Sequence, residues 1–312
     1  MVTVCKISAC WAPCALPFLF VFALSILSSA SCETVCIPGR SDPGCYSVEK
    51  VHDAAPPENS VTLITQLTLS KASVLTEALR VWGGYSSVVF YAYDVKEALA
   101  VREFRCDKCI VTLVQGGTRK QPFPINLLRQ VALDAARTEL VFTLDSDFIP
   151  SAGIYEAIQQ HLSSPLVGRA LVVPAFEFRV NYTAGQPRFS DLKALIDARI
   201  LSVFHSKFGG HRDTKSDLWL EVDEPYCLNH TSGAYEPYVI VNRTNSGFPS
   251  YDVKYVNRGM NKIIWIRALK RAKFRFCVLP HVFLIHIWER RPHHLRGMRK
   301  NELKTALKAS NN

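Results

Sequence analysis

From residue 61 onward the chain alternates short apolar runs with stretches whose apolar positions recur at helical spacing. Val61-Thr62-Leu63-Ile64-Thr65-Gln66-Leu67 is rich in β-branched residues and reads as a strand, and Lys71 to Val81 follows with helical periodicity. Val88 to Tyr93 gives a second strand ending on Asp94, Lys96 to Phe104 a helix, and Ile110 to Val114 a third strand. Gly116-Gly117 and Pro122 to Pro124 interrupt the pattern as a loop. Asn126 to Ala136 then sets Leu127, Leu128, Val131 and Ala135 on one side of a helix. That helix leads into Leu140-Val141-Phe142-Thr143-Leu144, an apolar run that stops on Asp145-Ser146-Asp147. Strand–helix alternation in this order predicts right-handed βαβ units and an α/β fold with a mainly parallel central sheet flanked by helices.

The second half continues in the same style. Ile154 to Leu162 reads as a helix, and Ala170 to Glu177 as a strand whose Pro174 marks an edge or a bulge. Asp191 to Phe204 reads as an amphipathic helix, and residues 206–229 as a long loop carrying His211 and Trp219. Tyr235 to Val241 is a strand, Asn261 to Ala272 a basic helix, and Arg275 to Leu279 and Val282 to Ile285 are strands. No internal repeat is visible. Residues 60–312 therefore read as one domain, and residues 31–59, with Gly, Pro, Ser and Cys and no periodicity, as a stem or linker.

Residues 1–30 change the picture of where the chain works. Lys6 is the only charged side chain before a long apolar tract that ends near Ser28-Ser29-Ala30, a signal peptide or a signal anchor. Either one delivers the domain to a lumen or the exterior, as a Golgi type II membrane protein or a secreted one. Ten cysteines suit such a compartment. Cys106-Asp107-Lys108-Cys109 has no second pair to complete a zinc site, so a disulfide or free thiols is the safer reading. Asn181, Asn229 and Asn242 head glycosylation triplets. The net charge of +10 is concentrated late: after Asp252 the only acids are Glu289 and Glu302. A basic face suits a diphosphate or an acidic glycan, and no nucleic-acid motif accompanies it.

The candidate chemistry lies at Asp145 and Asp147. Ligands of open α/β sheets collect outside the carboxyl ends of the strands, and paired carboxylates there suit a divalent cation bound to phosphates. Neither the dinucleotide glycine fingerprint nor the phosphate-binding Gly-Lys-Ser/Thr loop is present. A bound nucleotide would therefore be held through a metal.

In its motifs the chain resembles glycosyltransferase family 49, the LARGE-type glucuronyltransferase domain and its β-1,4-glucuronyltransferase relatives. The likeness runs through Val61 to Leu67, Pro124-Ile125-Asn126-Leu127-Leu128-Arg129, Asp145-Ser146-Asp147 and Val172-Val173-Pro174-Ala175-Phe176-Glu177. It continues through Gly210-His211, Glu236-Pro237-Tyr238-Val239, Tyr251-Asp252, Gly259-Met260-Asn261-Lys262 and Phe283-Leu284-Ile285-His286. Asn257-Arg258 and Trp288-Glu289-Arg290-Arg291 depart from the family pattern.

The resemblance implies a GT-A fold, a UDP-sugar donor carrying glucuronic acid or xylose, Mn²⁺, a glycan acceptor and inversion at the anomeric carbon. It implies Asp145, Asp147 and His286 as metal ligands. Asp252 or Glu236 would be the base, and Asn261 would orient an acceptor hydroxyl. Thr65, Gln66, Asp94, Asn126, Arg129 and Asp145 would hold the nucleotide sugar. His211 and Trp219 either meet a sugar or anchor their loop. Two rivals remain: a catalytically inactive glycosyltransferase fold that binds a glycan or protein partner, and a nucleotidyltransferase that releases pyrophosphate.

Overall fold

The computed structural model describes residues 4–5, 32–37, 44–162, 166–180, 186–206, 209–257 and 259–287. Apart from a two-residue strand, β1 (Val4–Cys5), the expected targeting segment lies outside the described residues, as do Asn181, Arg258 and residues 288–291. Among the described residues no helix is long and apolar enough to cross a membrane.

The predicted alternation is present. Strands β4 (Val61–Thr68), β5 (Tyr85–Ala92), β6 (Cys109–Gln115) and β7 (Leu140–Thr143) lie parallel in the order β6-β5-β4-β7. Helices α1 (Ala72–Trp82), α2 (Val95–Arg102) and α3 (Ile125–Ala135) connect them. Helix α1 stops where Gly83 adopts φ 68°, a left-handed turn that costs glycine little. Helix α2 starts where the Asp94 carboxylate accepts the Glu97 N–H at 2.8 Å. Helix α3 buries Leu127, Leu128, Ala132 and Leu133 together with three polar residues, Asn126, Arg129 and Gln130.

The sheet is wider and more mixed than the alternation alone predicts. On one side, residues 31–59 are more than a linker: β2 (Cys32–Cys36) and β3 (Cys45–His52) form a hairpin closed by the Cys36–Cys45 disulfide, and β3 pairs antiparallel with β6. Buried Val35, Ile37 and Tyr46 are what the hairpin contributes to the core, a signal hidden in sequence by the Gly, Pro and Ser around it. On the other side β13 (Tyr238–Asn242) inserts antiparallel between β7 and β9 (Arg169–Val173), followed by β14 (Arg275–Val278) and β12 (Tyr226–Cys227). A Cys227–Cys277 disulfide joins the last two, and Cys106–Cys109 is a third.

A second sheet of four strands has the order β11 (Leu201–Val203), β10 (Ala175–Phe178), β15 (Leu284–His286), β8 (Phe148–Pro150). The single strand expected over 170–177 is split at Pro174 between the two sheets. The helix expected over 191–204 is also divided. Helix α5 (Phe189–Asp197) ends before Arg199, which takes a left-handed φ of 58°, and β-branched Val203 lies in β11 instead. Helices α4 (Ile154–Gln160), α6 (Ser216–Trp219) and α7 (Asn261–Arg271) complete the fold. Trp82 packs on Phe142 and Tyr155 beneath the junction of the two sheets.

Candidate functional site

The acidic motif lies where the chain leaves one sheet and enters the other. Leu144 N–H still bonds to the Ile64 carbonyl at 3.1 Å, so β7 keeps its register up to the motif. Asp145 and Asp147 then occupy the crossover, and Phe148 begins β8. Because β8 pairs with β15 in the register Phe148↔His286, the histidine comes directly beside the motif. The Ile287 N–H fixes the approach by donating to the Asp147 carbonyl at 2.7 Å. His286 Nε2 lies 3.5 Å from Asp147 Oδ2, with both side chains partly open to solvent. The rings of Phe148 and Phe204 flank the imidazole at centroid distances of 5.0 and 4.7 Å.

Asp145 faces another way. Its Oδ1 accepts from Arg129 Nη2 at 2.7 Å and Gln66 Nε2 at 3.1 Å, and its Oδ2 from the Tyr238 hydroxyl at 3.0 Å. Lys262 Nζ stands 3.4 Å from Oδ2 and 3.8 Å above the Tyr238 ring. Burial by itself would raise this carboxyl, but Arg129 and Lys262 outweigh it and hold Asp145 far below the usual carboxylate range. Burial and the neighbouring carboxylates push the Tyr238 hydroxyl well above its ordinary value, so it stays a donor. Among the described residues no three His, Cys, Asp or Glu side chains converge as a metal site. Of the three expected ligands, the structure pairs Asp147 with His286 and commits Asp145 to the cations.

A carboxylate and an imidazole at one sheet edge are a donor set that suits Mn²⁺ completed by phosphate oxygens and water. The residues present therefore fit a divalent cation at Asp147 and His286, with Asp145 behind them.

The cage around Asp145 is itself held in place. Arg129 Nη1 donates to Asn261 Oδ1 at 2.8 Å and to Asn126 Oδ1 at 3.2 Å. Asn126, fully buried, donates to the carbonyls of Asp252 and Asn261 at 3.0 and 3.1 Å. Asn261 also donates to the Asn257 carbonyl at 2.6 Å, so its amide is engaged by Arg129 and the backbone. Arg129 and Asn126 are thus turned inward, where the sequence had them reaching a phosphate. Gln66 meets Asp145 from the end of β4, next to buried Thr65. Asp94 is the cap of α2.

The two candidate bases separate clearly. Asp252 is exposed, and its carboxylate accepts the Lys254 N–H at 3.1 Å, an ordinary turn contact. Glu236 lies two residues before Tyr238, and its N–H bonds to the Gly210 carbonyl at 2.9 Å. Tyr238 and Lys262, missed by sequence reasoning, are the remaining wall of the site. Their positions inside quoted motif blocks were the only available sign.

His211 is buried with neither ring nitrogen hydrogen-bonded, stacked on Tyr238 at 5.5 Å. Burial, then the nearby Lys262, holds it well below the ordinary histidine range, so it is neutral. Trp219 resolves as an anchor: fully buried, it donates to the Leu279 carbonyl at 2.7 Å and packs on Phe176 and Phe189.

Comparison with known proteins identifies the family. A family model described as "Glycosyl-transferase for dystroglycan" matches residues 95–311. The xylosyl- and glucuronyltransferase LARGE2 of Rattus norvegicus is 34% identical over 253 residues, which cover 76% of this chain and 36% of that protein. The xylosyl- and glucuronyltransferase LARGE1 of Homo sapiens is 29% identical over 253 residues, covering 78% of this chain and 33% of that protein. The chain thus spans about a third of the length of these relatives. Among solved structures, GalNAc-T7 with UDP, GalNAc and Mn²⁺ superposes with a TM-score of 0.45 at 12% identity over 74% of this chain and 44% of that one. S. aureus TarS 1-349 with UDP-GlcNAc gives 0.42 at 14% identity over 77% and 61%. With the family's model matching more than half of the chain and LARGE2 a third identical over three quarters of it, the chain belongs to the family of glycosyl-transferases for dystroglycan.

Proposed function

We propose that this chain is a metal-dependent inverting glycosyltransferase that moves glucuronic acid or xylose from a UDP-sugar to a glycan acceptor. The observation that carries the reading is the Asp147–His286 pair, 3.5 Å apart at the carboxyl edge of the sheet, with a caged Asp145 behind it. The names of the relatives support the choice of sugars, and the three disulfides among the described residues support a lumenal or secreted setting.

Asp147 and His286 would hold the divalent cation, whose chemistry is to neutralise the diphosphate as it departs. The chain's own contribution is electrostatic and positional. Arg129 and Lys262 set two positive charges against the single carboxylate of Asp145, leaving an excess positive charge that would offset the negative charge developing on the departing diphosphate. Phe148 and Phe204 flank the imidazole, and Tyr238 packs on Phe148 behind it. Glu236 fits the base better than Asp252 because its carboxylate stands close to Tyr238 and is not tied up in a turn. It would take the proton of the acceptor hydroxyl as the oxygen–carbon bond forms and the bond to the diphosphate breaks.

The test is a panel of UDP-sugars with Mn²⁺ and the purified domain, followed by UDP release. One or two sugars should be consumed, and Asp147→Ala should lower the rate at least about 100-fold. If no nucleotide sugar binds with metal present, the reading fails. Pyrophosphate release from a nucleoside triphosphate would instead establish nucleotidyl transfer.

A further inference from the structure

Resting on that reading, we propose that His205 is the positioning residue of the acceptor-side base, holding the Glu236 carboxylate toward the acceptor hydroxyl. Four observations meet here. His205 Nδ1 lies 3.6 Å from Glu236 Oε1, with the imidazole about half exposed and the carboxylate largely covered. The imidazole lies flat on Phe204, centroids 3.9 Å apart and planes inclined by 16°, which fixes the direction of its nitrogen.

The backbone is committed as well. His205 follows β11 at φ 50°, in the left-handed region where histidine, with asparagine and aspartate, occurs more often than other side chains. Finally, Gly210 leaves room for the carboxylate: a Cβ there would approach Glu236 Oε1 to 2.9 Å. The Glu236 N–H, bonded to the Gly210 carbonyl, anchors the other end of the same residue.

The pair is placed for the reaction. The Phe204 ring contacts both the His205 and the His286 imidazoles, at centroid distances of 3.9 and 4.7 Å, which brings the pair near the proposed cation site. Other ionisable groups near the pair are His211, also against Phe204, and the Tyr238 hydroxyl. In the transfer the acceptor O–H bond breaks and its proton passes to Glu236. The oxygen bonds the anomeric carbon, and the electron pair of the broken sugar–phosphate bond leaves on UDP. His205 takes no part in bond making; it fixes the geometry of the carboxylate that does.

The experiment separates the imidazole from the backbone turn. Transfer is measured as UDP release from UDP-xylose and UDP-glucuronic acid with Mn²⁺, using an aryl β-glucuronide and an aryl β-xyloside as probe acceptors. Thermal unfolding checks each variant's fold. Glu236→Gln should lower kcat on the order of 10²- to 10⁴-fold. His205→Gly keeps the turn but loses the nitrogen, and should lower kcat roughly 10-fold with the donor KM unchanged. His205→Asn, which tolerates positive φ and carries an amide nitrogen near the place of Nδ1, should stay within about threefold of wild type. Combined with Glu236→Gln, His205→Gly should add no further loss, as expected for residues acting as one unit. Full kcat in His205→Gly, or losses that multiply in the double variant, would overturn the assignment while leaving the transferase reading intact. A wild-type protein that consumes neither UDP-sugar and binds no UDP with Mn²⁺ would overturn both.

Discussion

At the scale of single residues, Asp145 shows how a carboxylate at a strand end can be taken up by the chain's own donors. Four donors surround it, two of them cationic, and Asn126 and Asn261 hold the stronger cation in place. Breaking such a pair leaves Arg129 and Lys262 facing each other without their counter-charge, a loss of about 3–5 kcal/mol for buried groups. The folded carboxyl lies far below the ~3.9 of an unfolded chain, so its contribution is complete above about pH 4 and is lost as pH falls toward the folded value. Asp145→Asn should therefore lower stability at pH 7 by about 3 kcal/mol, and the gap to wild type should narrow below about pH 4. Urea unfolding of both proteins from pH 3 to 7 measures this; a gap that stays constant with pH would show that the carboxylate charge is irrelevant.

At the scale of elements, register decides what the site contains. The β8–β15 pairing sets His286 opposite Phe148 and so beside Asp147. A slip of one residue would turn the imidazole to the other face. The β15 strand is reached through Leu279 and Pro280, and Trp219 of α6 grips this approach by donating to the Leu279 carbonyl while packing on Phe283. Trp219→Ala should destabilise the fold by about 3–5 kcal/mol. Thermal unfolding reads the loss; a stable variant that had merely weakened sugar binding would assign Trp219 to the ligand instead.

At the scale of the molecule, the site is a seam between two sheets, and its parts come from β4, α3, the β7–β8 crossover, the approach to β13, α7 and β15. A ligand bridging that seam binds only the folded chain and stabilises it by mass action. With Mn²⁺ and UDP at about 100 times their dissociation constants, the gain is about 2.7 kcal/mol, a rise in Tm on the order of 5–10 °C. EDTA should erase the rise produced by UDP. A UDP shift indifferent to EDTA would remove the metal from the donor site.

What the sequence by itself determined was local and repetitive. Strand–helix alternation over 61–145, the acidic pair at a strand end and the order of short motif blocks all follow from periodicity and residue type, which neighbouring positions carry. The edge hairpin at 32–52 was illegible because its apolar residues are few and its turn composition resembles a linker. The break at Arg199 was illegible because helix and strand are nearly balanced there, and pairing with β10 tipped it. Only the tertiary structure decided the partners of the two acids in the motif. Whether a carboxylate meets a histidine or an arginine depends on which side chains arrive from elsewhere in the chain. Arg129 and Lys262, 16 and 117 positions from Asp145, reached it through packing that no local pattern records.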